Sequence, residues 1–134
     1  MAAITSCNAW AGTVQSERAA REECSAYSQA GMRECLAKKA NASAAELSKA
    51  ENKVRRTLAK WDEDTKYVNL AKAKFETSNK EFGRYRDAHC AFDVSLGGGA
   101  IGNALEIGRL ACVFELNSRR AAQLRDAISD LPLK

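Results

Sequence analysis

The sequence predicts an all-α protein: an antiparallel bundle of three long helices, preceded by a short N-terminal helix and stapled by disulfides. Three observations point there. Helix formers dominate, no run of alternating β-branched residues competes with them, and the single proline, Pro132, lies beyond the last periodic segment. Apolar residues recur in steps of three and four through three long runs. Five cysteines stand in a chain of 134 residues, without CxxC spacing and with one histidine, which suits disulfides better than zinc or redox motifs. Disulfides in turn require an oxidising compartment. At this length the chain reads as one domain, 1–134, with an N-terminal helix and connector over 1–28 and the bundle over 29–134.

Taken in order, Thr5 to Arg21 carry Trp10, Val14 and several alanines at near-helical spacing, followed by a charged patch, and read as the short helix. No signal peptide follows Met1, so a removed leader is expected, with Met1 added for expression. Cys7 is the odd cysteine. The tetrapeptide Ile4-Thr5-Ser6-Cys7 loosely fits a lipidation box, but a free or intermolecular thiol is the preferred reading. Cys24 and Cys35 are eleven residues apart, roughly 16 Å along a continuous helix, against the ~5.5 Å between Cα atoms that a disulfide tolerates. If they are bonded, the chain folds back between them, with Ser28 as a helix cap and Gly31 permitting the bend.

The first long run is Met32, Leu36, Ala40, Ala44, Leu47, Ala50, Val54, Leu58 and Trp61. Asp62-Glu63-Asp64-Thr65 then supplies cap candidates for a fresh helix of about Thr65 to Leu96, antiparallel to the first. One unbroken helix of over sixty residues is the competing reading. The second run places Ala71, Phe75, Ser78, Phe82, Tyr85, His89, Phe92 and Leu96 on one face. Two antiparallel helices tied by Cys90 and Cys112 turn midway, at Ile101, and the glycines from Gly97 to Gly102 straddle that point. By the same counting, position 82 falls opposite about 120. Asn103 and Glu106 form a capping box for a last helix from about Ala104, whose stripe is Ile107, Leu110, Phe114, Ala121, Leu124, Ile128 and Leu131, with Asn117 on the same face.

The candidates for chemistry are few. His89 and Cys90 point about 100° apart on a helix and cannot form a base and nucleophile pair. Glu46, Glu51, Glu76 and Glu81 fall mostly on outer faces as local ion-pair partners. The glycine run lacks the residues of a phosphate-binding loop. The formal charge of +4 is modest. Lys49, Lys53, Arg56 and Lys60 form a basic ridge on the first long helix: a solvated face, or a surface for an acidic protein partner. It lacks the interleaved aromatics of nucleic-acid readers. No stretch approaches transmembrane length.

The segment Asn79 to Cys90, NKEFGRYRDAHC, resembles a motif of small secreted bacterial proteins, the LprI-like lysozyme inhibitors. Their pattern is an early cysteine pair, aQxxWxxyRDxxC, a GG loop, a cysteine and, about eight residues later, RxxxL. It can be followed from Cys24 to Leu124: Tyr85, Arg86, Asp87 and Cys90, then Gly97 and Gly98, then Cys112, Arg120 and Leu124. Asn79 and Phe82 stand where Gln and Trp are usual. The resemblance pairs Cys24 with Cys35, and the hairpin pattern pairs Cys90 with Cys112. It marks Tyr85, Arg86, Asp87 and Arg120 as family positions, either structural or partner-binding.

The resemblance further implies a periplasmic or secreted protein that is no enzyme, uses no cofactor and binds a protein partner, a cell-wall hydrolase or peptidoglycan-targeting toxin. Some members of the group look like immunity proteins. A non-inhibitory structural or adaptor bundle of the bacterial envelope is the alternative expectation.

Overall fold

The computed structural model describes residues 14–100 and 102–134. Among these described residues four helices follow one another: α1 (Glu17–Cys24), α2 (Gln29–Lys60), α3 (Thr65–Ser95) and α4 (Asn103–Ile128). α3 runs antiparallel to its neighbours, as expected, so α2 and α4 lie parallel. The short helix starts later than its sequence pattern suggests, because Ser16 caps it by accepting from the Ala19 amide. Residues 5–13 of the expected helix, Trp10 and Cys7 among them, lie outside the described residues, as does the expected turning point Ile101.

The helix boundaries follow local chemistry. Ser28 Oγ accepts from the Gly31 amide and opens α2. The chain reverses before that cap, at Ser25 to Tyr27, not at Gly31, which is already helical. Gly31 matters for space: a Cβ there would meet Tyr27 Cβ at 2.9 Å. Asp64 caps α3 by accepting from the Lys66 amide at 2.9 Å, so the α2–α3 turn replaces the single sixty-residue helix. The chain end braces that turn, Asp62 N donating to Pro132 O and Lys134 N to Lys60 O, each at 2.8 Å.

The expected capping box of α4 does not form. Gly102 takes the cap position at φ 72°, ψ −141°, a conformation open to glycine, so Asn103 is already the first helical residue. Asn103 Oδ1 instead accepts from Arg33, and Glu106 pairs with Arg109 one turn on.

α2 and α4 pack along their length and form two apolar clusters. The upper one joins Ala20, Cys24, Leu36, Ala40, Ile107, Leu110 and Ala111. The lower one joins Leu47, Ala50, Val54, Leu58, Phe75, Ala121, Leu124 and Ile128. The sequence stripe of α2 is kept except at one place: Ser43 is buried and Ala44 is exposed.

α3 is attached more thinly, fully burying only Phe75 and Cys90. The second half of its expected stripe is not core: Tyr85, Phe92 and Leu96 are exposed, and His89 is only partly covered. A strict 4-3 spacing drifts on a straight helix by about 20° per heptad, hence about 60° from Ala71 to Phe92. The residues that meet α4 instead step by four, through Phe82, Arg86 and Cys90. The aromatic line therefore swings outward.

Both expected disulfides are present, Cys24–Cys35 and Cys90–Cys112, with Cα atoms 5.8 and 5.7 Å apart. Of the acids assigned to local pairing, Glu51 and Glu81 pair within their helices. Glu46 does the same with Lys49 and also reaches across to Arg125, which donates to it at 2.9 Å, whereas Glu76 pairs between helices, gripped by Arg55 with two bonds at 2.8 and 3.2 Å.

Candidate partner-binding surface

Two of the family positions, Arg86 on α3 and Arg120 on α4, meet around Phe82. The Arg86 and Arg120 guanidinium groups lie 5.7 and 5.5 Å from the centre of its ring, which confirms the counting that set 82 opposite 120. Arg86 Nη1 donates to Asn117 Oδ1 at 3.1 Å, and its Nε donates to Asp87 Oδ1 at 3.0 Å. Arg120 Nη2 donates to Ser78 Oγ at 2.8 Å and to Asn79 Oδ1 at 3.1 Å. Burial pulls the Arg120 guanidinium below its ordinary value, opposed by the Glu51 charge. Asn79 Nδ2 and Arg120 Nε are buried without a hydrogen-bond partner, so the joint is not fully satisfied.

The chain of bonds continues into the core. Asn117 Nδ2 donates to Ser43 Oγ at 3.3 Å, and Ser43 Oγ donates to Ala40 O at 2.7 Å. Both side chains are buried, at 1% and 3% exposure, and they separate the upper apolar cluster from the lower. A polar layer of this kind resists sliding of one helix along another, since any slip leaves buried donors unpaired. Asn117 was visible in the sequence as a polar residue on an apolar stripe. Ser43 gave no such signal.

Tyr85, another family position on α3, does not join this layer. It faces outward and stacks on His89, with ring centroids 5.5 Å apart. Asp87 lies on the opposite flank, beside a groove of about 460 Å³ floored by Leu105, Arg109 and Val113. The basic ridge stands apart from both, on the face of α2 away from α4. Lys49, Lys53, Arg56 and Lys60 are all exposed. Lys49 touches Glu46 at 3.3 Å, whereas Lys53, Arg56 and Lys60 make no ion pair among the described residues.

The Cys90 sulfur is bonded to Cys112, so it is no nucleophile for His89. Glu17, Asp93 and Cys112 come close together at the junction of α1, α3 and α4, but the cysteine is spent in the same disulfide and a carboxyl pair remains. Burial raises the Glu17 carboxyl above its ordinary value of 4.5, the Asp93 charge adding to this and Arg21 opposing it. The folded chain then holds more protons than the unfolded chain. Stability from this joint is full below 4.5 and is lost as pH rises through the raised value. Glu46 and Glu76, lowered by bonds from Arg125 and Arg55, act the other way, their contribution being lost as pH falls. Glu17→Gln is therefore expected to flatten the loss of stability between pH 4.5 and neutrality, measured as urea midpoints across that range.

The two cross-links and the polar layer define a disulfide-stapled helical bundle of an extracytoplasmic, oxidising compartment. No helix among the described residues is long and apolar enough to cross a membrane. The chain belongs to the lysozyme inhibitor LprI family, whose model matches residues 19–124. No curated protein and no solved structure matches it. The matched stretch holds both disulfides, the polar layer and the outward aromatic line.

Proposed function

We propose that the protein binds and inhibits a peptidoglycan-degrading, lysozyme-like enzyme in the periplasm or outside the cell. The family match across residues 19–124 carries this reading. The structure supports it by offering a rigid, doubly cross-linked body, which loses little freedom on binding. The mechanism is occlusion: a fixed surface covers the enzyme's cleft, with shape and charge setting specificity.

Charge narrows the target. With +4 overall and an unpaired ridge at Lys53, Arg56 and Lys60, a strongly basic enzyme is repelled at long range and an acidic one is attracted. A peptidoglycan-targeting toxin with an acidic cleft suits this protein, which then serves as an immunity protein.

The test is the turbidity of a cell-wall suspension during lysis by a panel of lysozyme-like and toxin enzymes. Micromolar protein is expected to slow at least one acidic-cleft enzyme. If none is slowed, the inhibitor reading fails and the adaptor reading takes its place. Lys53→Glu with Arg56→Glu is expected to reduce the association rate about tenfold at low salt, and less at high salt, with little change in dissociation. Surface plasmon resonance against the inhibited enzyme checks this.

A further inference from the structure

We infer that the line Tyr85, His89 and Phe92 on α3, continued by Leu96 at its C-terminal cap, is the part of the surface that enters the substrate cleft of the inhibited glycan hydrolase. The inference rests on the inhibitor reading above and names its contact. Tyr85, Phe92 and Leu96 are 56%, 59% and 70% exposed, and the spacing of four, three and four puts them on one face with His89. Adjoining apolar side chains left outside both core clusters mark an interaction site.

The line is already arranged for contact. Tyr85 stacks on His89, and the His89 and Phe92 rings lie 6.4 Å apart. The other flank of the same helix is held by the Cys90–Cys112 bond and by Arg86 on Asn117. Few rotamers remain to be frozen on binding, the condition under which aromatic side chains become the dominant contacts of an interface.

Shape and chemistry select the occupant. The line is a convex ridge about 16 Å long and one side chain wide, which complements a cleft and offers too little area for a stable dimer, which buries about 800 Å² per partner. Glycan hydrolases carry two carboxyl groups in the cleft. The outward positions 85, 88, 89, 92, 95 and 96 hold no carboxylate, and Glu81, one turn before Tyr85, is paired with Arg84. Asp87 is turned to Arg86, and Asp93 to Glu17. His89 is left as a ring N–H donor for a cleft carboxylate, with flat rings on either side to occupy the space of sugar rings. The basic ridge of α2 has no aromatic side chain.

The experiment uses the full oxidised chain carrying Tyr85→Ala with Phe92→Ala and, separately, His89→Gln. Each is titrated against the enzymes that the wild-type protein slows. The double variant is expected to inhibit about 30-fold less tightly and His89→Gln to a smaller extent, both with an unchanged melting temperature. A soluble cell-wall oligosaccharide that fills the cleft is expected to compete with the wild-type protein. If the wild type inhibits but both variants match it, or if the oligosaccharide does not compete, this inference is overturned and the inhibitor reading stands. If the wild type slows no enzyme, both fall. If sedimentation shows that the variants only dissolve a dimer and leave inhibition intact, the line is a self-contact and the inference is overturned.

Discussion

Replacing Cys90 and Cys112 together by serine is expected to lower stability by about 3 kcal/mol and to loosen the C-terminal half of α3 before anything else. The cross-link closes a loop over a sequence separation of 22 and so restricts the unfolded chain. It also does what burial does for the other long helices. α2 buries seven side chains and α4 eight, whereas α3 buries Phe75 near its start and then only Cys90. Beyond Phe82 its remaining ties to α4 are the Arg86 bond to Asn117 and partial cover of Val94. Urea unfolding measures the loss. Amide hydrogen exchange locates it: residues from about Tyr85 to Ser95 are expected to lose protection while the lower cluster at Leu47, Val54 and Leu124 keeps it. Loss spread evenly over all helices would mean that α3 is held by more than its staple.

Asn117→Ala is expected to cost about 3 kcal/mol, more than most single changes. The substitution removes a side chain that accepts from Arg86 and donates to Ser43, so it orphans groups on two other helices. It also leaves a gap between two packed clusters. A double-mutant cycle with Arg86→Ala separates these effects. The coupling is expected to exceed 1 kcal/mol in favour of the native pair. Additive losses would show that Asn117 matters only for its volume.

Much of this architecture was legible in the residues, for reasons that can be traced. Ser28 and Asp64 stand directly before apolar runs and have side chains that cap amides, so the starts of α2 and α3 could be read locally. Antiparallel counting from Cys90 and Cys112 is a long-range constraint, and it set position 82 opposite 120, where the Phe82 ring meets the Arg120 guanidinium. The misses share a different cause. Steps of three and of four are both helical, so Ala44 was the natural choice for the core over Ser43. What reversed the choice was a bond from Asn117, seventy-four residues away. At Asn103 and Glu106 the residue types suit a capping box, but the backbone at Gly102 turns the chain into α4 early and leaves both side chains to other partners.

The aromatic line of α3 is the most instructive case. Its spacing is that of a buried seam, and periodicity alone cannot tell a seam turned to the core from one turned outward. Only the direction in which the disulfide and Arg86 hold the helix decides it. The family positions divided in the same way: Arg86 and Arg120 went to the internal joint, and Tyr85 went to the outside. The basic ridge was read correctly as exposed, because its four cations share one face and that face is opposite the buried one.

In the proposed function, this protein acts through a surface fixed in place by its staple to α4. The most direct measurement is the lysis of cell-wall suspension by a susceptible hydrolase, in the presence of the oxidised wild type or of the Cys90→Ser/Cys112→Ser variant at equal concentration. The wild type is predicted to slow lysis and the variant to lose most of that effect while its lower cluster remains folded. Equal slowing by both would contradict the account.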